Sequence, residues 1–179
     1  MTTGHVFIAK SLDGFVARED HGLDWLMKQD TGEGDHGFAA FMDSVDGMIM
    51  GAGTFRTVLG FGEWPYTKPV VVVSRSLTDA DLPEHLAGRV RISAKDPAAL
   101  MAELDAAGWM RAYVDGGRLV QSFLREGLIE DMIISVIPVL IGSGISLFGP
   151  LDRDVDLELI RAEPFGAGLL QTQYRVKQG

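Results

Sequence analysis

Apolar residues fall along this chain in short clusters whose spacing changes from segment to segment, and that spacing predicts the elements. Val6-Phe7-Ile8-Ala9 is a short strand-like run ended by the turn signal Asp13-Gly14, after which Phe15-Val16-Ala17 resumes an extended path. Residues 18–34 are polar and rich in glycine and acid apart from Leu23, Trp25, Leu26 and Met27, which predicts a long loop with a short apolar anchor. Loops of that length tend to be functional. From Asp35 the period becomes helical, with Phe38, Phe41, Met42 and Val45 on one stripe and Asp46-Gly47 as the stop. Met48-Ile49-Met50 reads as a buried strand, residues 54–59 as a short helix, and Val70-Val71-Val72-Val73 as a strand covered on both faces, the signature of a parallel sheet.

The same alternation continues. Val90-Arg91-Ile92 predicts a strand, and Pro97 opens a helix that carries Leu100, Met101, Leu104 and Ala107 on one face and stops at Gly108. Ala112-Tyr113-Val114 is the next strand, followed by a helix with Leu119, Phe123 and Leu124 inward, then a long apolar strand over 132–140 broken by Pro138. Residues 157–163 and 169–176 alternate apolar with polar, as an antiparallel pair hinged at Phe165-Gly166-Ala167-Gly168 does. The prediction is an α/β fold: a central, mostly parallel sheet with an antiparallel C-terminal hairpin and helices on both faces.

At 179 residues the chain suits one domain over 1–179. No run approaches a transmembrane span and the N-terminus lacks a signal pattern, so the expected compartment is the cytoplasm. With no cysteine there is no disulfide, thiolate metal site or cysteine nucleophile. A formal charge of −9 argues against nucleic acid or an anionic membrane as partner. His5, His21, His36 and His85 share no metal-ligand spacing and are expected at the surface, although His21 and His36 adjoin glycines that could border a pocket. No metal site is expected.

Candidate chemistry lies at two glycine-bearing strand ends, Ile49-Met50-Gly51-Ala52-Gly53-Thr54-Phe55 and Val114-Asp115-Gly116-Gly117-Arg118, each running from a strand into a helix. A helix N-terminus offers unpaired N–H groups and a positive dipole end to an anion, and glycine admits it to the backbone. Two such turns could hold a dinucleotide, although neither is a G-x-G-x-x-G or Walker motif. Arg56, Arg75 and Arg118 fall near such transitions.

In the order Ser11-Leu12-Asp13-Gly14, Leu23-Asp24-Trp25-Leu26, Met48-Ile49-Met50-Gly51 with Thr54-Phe55, Val71-Val72-Val73-Ser74-Arg75, Val114-Asp115-Gly116-Gly117 and Ile137-Pro138-Val139-Leu140-Ile141-Gly142-Ser143-Gly144, the chain resembles dihydrofolate reductase-like proteins. It is most similar to the reductase domain of riboflavin biosynthesis and its small stand-alone relatives. The resemblance spans nearly the whole chain and implies an NADPH-dependent reductase acting on a pterin, a dihydrofolate-like or a ribosylamino-pyrimidine ring, and a homodimer. It implies Ala9 beside the nicotinamide, and Gly51, Gly53, Thr54 and Phe55 facing Gly116, Gly117, Arg118 and Leu119 across the phosphates. Ser74 and Arg75 then meet the adenosine ribose. With Ala52 where many relatives carry a basic residue, Arg75 has to carry the preference for a 2′-phosphate. The substrate contacts implied are Asp13, Trp25, Phe38 and Ser135.

Asp35 stands open between two roles. Its distance from Met50-Gly51 resembles that of the acid that protonates pterins, and its place ahead of a helical stripe is where an acid favours a helix N-terminus. Trp25 is open between a pocket anchor and a core side chain. The alternative to a reductase is a dinucleotide-binding or regulatory protein of the same fold without turnover.

Overall fold

The computed structural model describes residues 1–29 and 34–177. Ten strands and five helices follow one another as β1 (Thr3–Ser11), β2 (Phe15–Ala17), α1 (Asp24–Met27), α2 (Phe38–Asp43), β3 (Gly47–Gly51), α3 (Ala52–Leu59), β4 (Val70–Val73), β5 (Val90–Ser93), α4 (Pro97–Ala106), β6 (Arg111–Asp115), α5 (Gly117–Arg125), β7 (Ile129–Ile137), β8 (Ile145–Ser146), β9 (Leu157–Pro164) and β10 (Leu170–Val176). Eight strands form one sheet in the order β5-β4-β3-β6-β1-β7-β10-β9. From β5 to β7 every pairing is parallel, whereas β10 runs antiparallel to both β7 and β9.

Alternation along the strands explains why the apolar runs are continuous. Val6, Ile8, Ile49, Val71 and Val114 face α4 and α5, packing against Leu100, Leu104, Val120 and Phe123. Met48, Met50, Val70, Val72 and Tyr113 face the opposite way, toward Phe41 of α2 and Phe55 of α3. With both faces covered, the central positions of β3, β4 and β6 are apolar in succession rather than at every second residue. α4 starts where expected: Pro97 takes the first turn and the Asp96 carboxylate accepts the Ala99 N–H at 2.8 Å.

Three local features depart from the sequence pattern. The anchor in the long loop is a helical turn, α1, whose Trp25 is fully buried against Ile137 and Leu169. β7 ends at Ile137, since Pro138 has no N–H to continue the ladder. A two-residue strand, β8, pairs with β2 in a separate small sheet. No described helix is long and apolar enough to cross a membrane.

Phe123 is fully buried at the centre of the α5 stripe. Phe123→Ala is expected to lower unfolding free energy by about 3–5 kcal/mol, read from urea titration. A loss under about 1 kcal/mol would remove α5 from the structural core.

Candidate active site

β3 and β6 are neighbours in the sheet, yet α3 leaves β3 toward one face and α5 leaves β6 toward the other. Between two such departures a parallel sheet opens a crevice at the carboxyl ends of its strands, the usual ligand position in open α/β sheets. A cavity of about 490 Å³ lies there. Its walls include Gly51, Gly53 and Thr54 from the first turn, Gly116, Gly117, Arg118 and Leu119 from the second, and Ala9 from β1. Neither α3 nor α5 has a side-chain cap at its N-terminus.

The glycines of the two turns do different work. A Cβ added at Gly51 meets nothing within 4 Å, so that position opens onto the cavity. Gly116 has φ 103°, which only glycine adopts without strain, and a Cβ there would lie 2.8 Å from the Thr54 hydroxyl. At Gly53 the missing Cβ makes room for the His21 ring, and at Gly117 it makes room for the Ser146 carbonyl of β8. The close approach at these two is thus to the protein itself.

His21 reaches the cavity because residues 18–24 form a tied turn. The Arg18 guanidinium donates to both carboxylate oxygens of Asp24, at 2.6 and 2.8 Å, and His21 takes a left-handed backbone at φ 67°. Arg56 and Thr57 of α3 complete this side of the wall.

Two groups expected at the adenosine end do not line this cavity. The Ser74 hydroxyl accepts the N–H groups of Ser76 and Leu77 and so braces its own loop. Arg75 is exposed and lines no part of the cavity; the guanidinium-bearing residues that do are Arg56 and Arg118. Phe55 is also inside, buried in the α3 core and stacked edge-on to Trp64.

A second cavity, of about 370 Å³, shares Phe7, Ala9 and Leu26 with the first, so the two meet over β1. Asp35, His36 and Ser135 line it. Its floor is a buried polar pair: the Gln171 amide of β10 donates to the Ser135 hydroxyl of β7 at 3.2 Å and to the His36 carbonyl at 3.1 Å. Of the other expected substrate residues, Trp25 lies in the core below Leu26, and Phe38 packs on Phe7 with ring centroids 5.3 Å apart. Asp13 faces another task. Its carboxylate accepts the Ser11 hydroxyl at 2.5 Å and the N–H groups of Ile141 and Gly142 at 3.1 and 2.8 Å, clamping the turn after β7.

Asp35 resolves toward the helix end. One carboxylate oxygen accepts the Gly37 N–H at 3.0 Å and the other the Ala39 N–H at 2.7 Å, and these bonds hold its pKa below the usual carboxylate value. A carboxylate stabilised in its ionised form is a poor proton donor at neutral pH. The histidines separate: His5 is fully buried rather than at the surface, His21 and His36 line the cavities as their glycine neighbours allowed, and only His85 is exposed. Nothing in their spacing separated them, because the neighbours that enclose them are remote in sequence.

Asp115, at the end of β6, lines the first cavity and is pushed up to about 6 by loss of solvent, which the Gly116 amide and the neighbouring Tyr113 hydroxyl offset only in part. The Tyr113 hydroxyl also ties β6 to β1 through the Phe7 carbonyl at 2.8 Å.

A parallel sheet with an antiparallel hairpin and a crevice at the β3/β6 divergence is dihydrofolate reductase-like. Within that class the chain belongs to the RibD C-terminal domain family, whose sequence profile matches residues 3–171. It is 36% identical to the uncharacterized protein YwjB of Bacillus subtilis (strain 168), over 90% of this chain and 91% of that one. A Shewanella sp. PV-4 protein named for riboflavin biosynthesis superposes with a TM-score of 0.91 at 38% identity, over 99% of this chain and 100% of the other. Dihydrofolate reductase from Enterococcus faecalis, complexed with NADP(H), superposes at 0.66 with 12% identity over 98% of this chain and 97% of that one. The Thermotoga maritima deaminase/5-amino-6-(5-phosphoribosylamino)uracil reductase does so at 0.71 with 13% identity, over 98% of this chain and 57% of the other. At 12–13% identity these two likenesses are of fold.

The raised pKa of Asp115 has a sign that can be measured. Its neutral form is favoured in the folded chain, so the associated stability is complete below its ordinary value of 3.8 and is lost as pH rises through about 6. Chemical denaturation of the wild type and Asp115→Asn should therefore show the wild type losing ground between about pH 4 and 6 and holding a constant difference above. A difference that stays constant across the whole range would mean that Asp115 titrates normally.

Proposed function

We propose that this protein is an NADPH-dependent reductase that passes a hydride to a small planar heterocycle of the pterin, dihydrofolate or ribosylamino-pyrimidine type. Two uncapped helix N-termini opening onto one crevice, with Gly51 facing open space, carry this reading. The fit to a dinucleotide is favourable at the phosphate end. The amides that begin α3 and α5 present donors and positive dipole ends, and Arg56 and Arg118 add positive charge at the wall. With Arg75 outside the cavity, we assign the preference for a 2′-phosphate to Arg56 and Arg118 instead.

When bound, NADPH supplies the hydride. The chain's own part is placement. Ala9, small and shared by both cavities, leaves the passage between them open, while Phe7 and Leu26 line it with apolar surface that excludes water. Ser135, fixed by Gln171, holds a hydroxyl at the wall of the second cavity, and the ionised Asp35 is an acceptor there rather than a donor. The family and its fold neighbours, which include enzymes named as reductases, support the assignment to oxidoreductases. We place the protein in the cytoplasm and as a homodimer. Strand β9, outermost in the sheet, exposes Leu157, Leu159 and Ile160, which suits cover by a second copy.

Gly51→Val tests the cofactor assignment without backbone strain, since Gly51 has φ −79° and its side-chain direction is open. Gly116 would be a poorer choice, because its φ of 103° couples any substitution to folding. NADPH affinity, read by fluorescence titration, should fall at least about tenfold, equivalent to about 1.4 kcal/mol, with an unchanged far-UV spectrum. An unaltered affinity would overturn the assignment. In the wild type, NADPH absorbance should fall on addition of a pterin or aminopyrimidine. Binding without any such oxidation would favour the dinucleotide-binding regulatory alternative.

A further inference from the structure

The two joined cavities differ in charge. The first has Arg56, Arg118 and two helix N-termini at its wall. The second, among the described residues, is lined by no lysine or arginine, and its one ionisable acid is Asp35. Two hydrogen bonds from backbone amides keep that carboxylate ionised, and its pKa lies below the usual range.

The guanidinium beyond the floor, that of Arg161, is already engaged. Arg161 of β9 donates to Glu163 at 2.6 Å and to the Gln171 side-chain oxygen at 2.8 Å, and it does not line the cavity. The polar groups left for a ligand are a hydroxyl and an imidazole. Ser135, 6% exposed, accepts from Gln171 and keeps its own hydroxyl proton to donate. The ring nitrogens of His36 are enclosed with no partner among the described residues. An anionic substituent brought here would lose water and meet no lysine or arginine, beside a fixed carboxylate.

Resting on the reductase reading and narrowing its substrate, we infer that the second cavity takes an uncharged or cationic planar ring bearing no phosphate or carboxylate. Anionic groups belong to the first cavity alone. A hydrogen-bond acceptor on the ring, a carbonyl oxygen or ring nitrogen, meets the Ser135 hydroxyl. A phosphoribosylated pyrimidine is therefore disfavoured against its dephosphorylated form, and a pterin carboxylate against the parent pterin.

The test is calorimetric titration of the NADP⁺-loaded protein with two matched pairs, pterin against pterin-6-carboxylate and a ribosylaminopyrimidine against its 5′-phosphate. The uncharged member of each pair should bind at least tenfold tighter. Asp35→Asn, which keeps the shape and one of the two acceptor oxygens, and Gln29→Lys, which adds a cation to the wall, should each narrow that ratio. Equal or tighter binding of the anionic members overturns the inference, as does failure of all four rings to bind. If NADP⁺ itself does not bind, the reductase reading falls, and the same titrations on the free protein still decide the inference.

Discussion

The parallel pairing of β3 with β6, with their helices sent to opposite faces, is the constraint on which the rest of the site depends. Had α3 and α5 packed on one face, their N-termini would lie side by side over a closed layer and no crevice would open between them. The strands can diverge in this way because each is buried on both sides. Met48 and Met50 feed one core and Ile49 the other, so the sheet accepts a helix on either face at no cost in exposed apolar surface. The Tyr113 hydroxyl then fixes β1 to β6 through the Phe7 carbonyl, at the strand position that lies beside Ala9 and the passage between the cavities.

Much of this was legible in the sequence, because apolar period and glycine position are local signals. The parallel strands, the C-terminal hairpin and the two glycine turns follow from residues within a few positions of one another. What was not legible depends on where side chains go after a strand ends. Arg75 is one residue past Ser74, whose hydroxyl folds the chain into a tight turn that leaves Arg75 at the surface. Arg56, one turn into α3, lines the cavity through helix geometry rather than through its place at a strand end. His21 is the sharpest case. Its place depends on an Arg18–Asp24 tie and a left-handed backbone, and Gly53, thirty-two positions away, has no Cβ to exclude it.

Asp13 and Asp35 show how a carboxylate beside a pocket can be structural. Both sit in segments where a reductase-type site would draw on an acid, and both spend their oxygens on backbone amides of loops that frame it. Their lowered pKa values have the same physical origin, since hydrogen bonds to the ionised form favour ionisation. The sequence offers no means to tell a carboxylate that caps a turn from one that faces a ring, because the deciding partners are amides rather than side chains.

Asp115 is the counterpart in which burial wins. Loss of solvent raises its pKa to about 6, so near neutrality part of the population carries no charge beneath the two helix N-termini. Under the proposed function, a dinucleotide phosphate entering the crevice would add negative charge beside this carboxyl, and a like charge would shift the equilibrium further toward the protonated form. Binding of the anion and protonation of Asp115 are thus linked: each favours the other. On that reading the crevice carries an acid at its base and still suits an anion, because burial shifts the acid toward its neutral form and the cradle above it is built from backbone dipoles whose charge does not titrate.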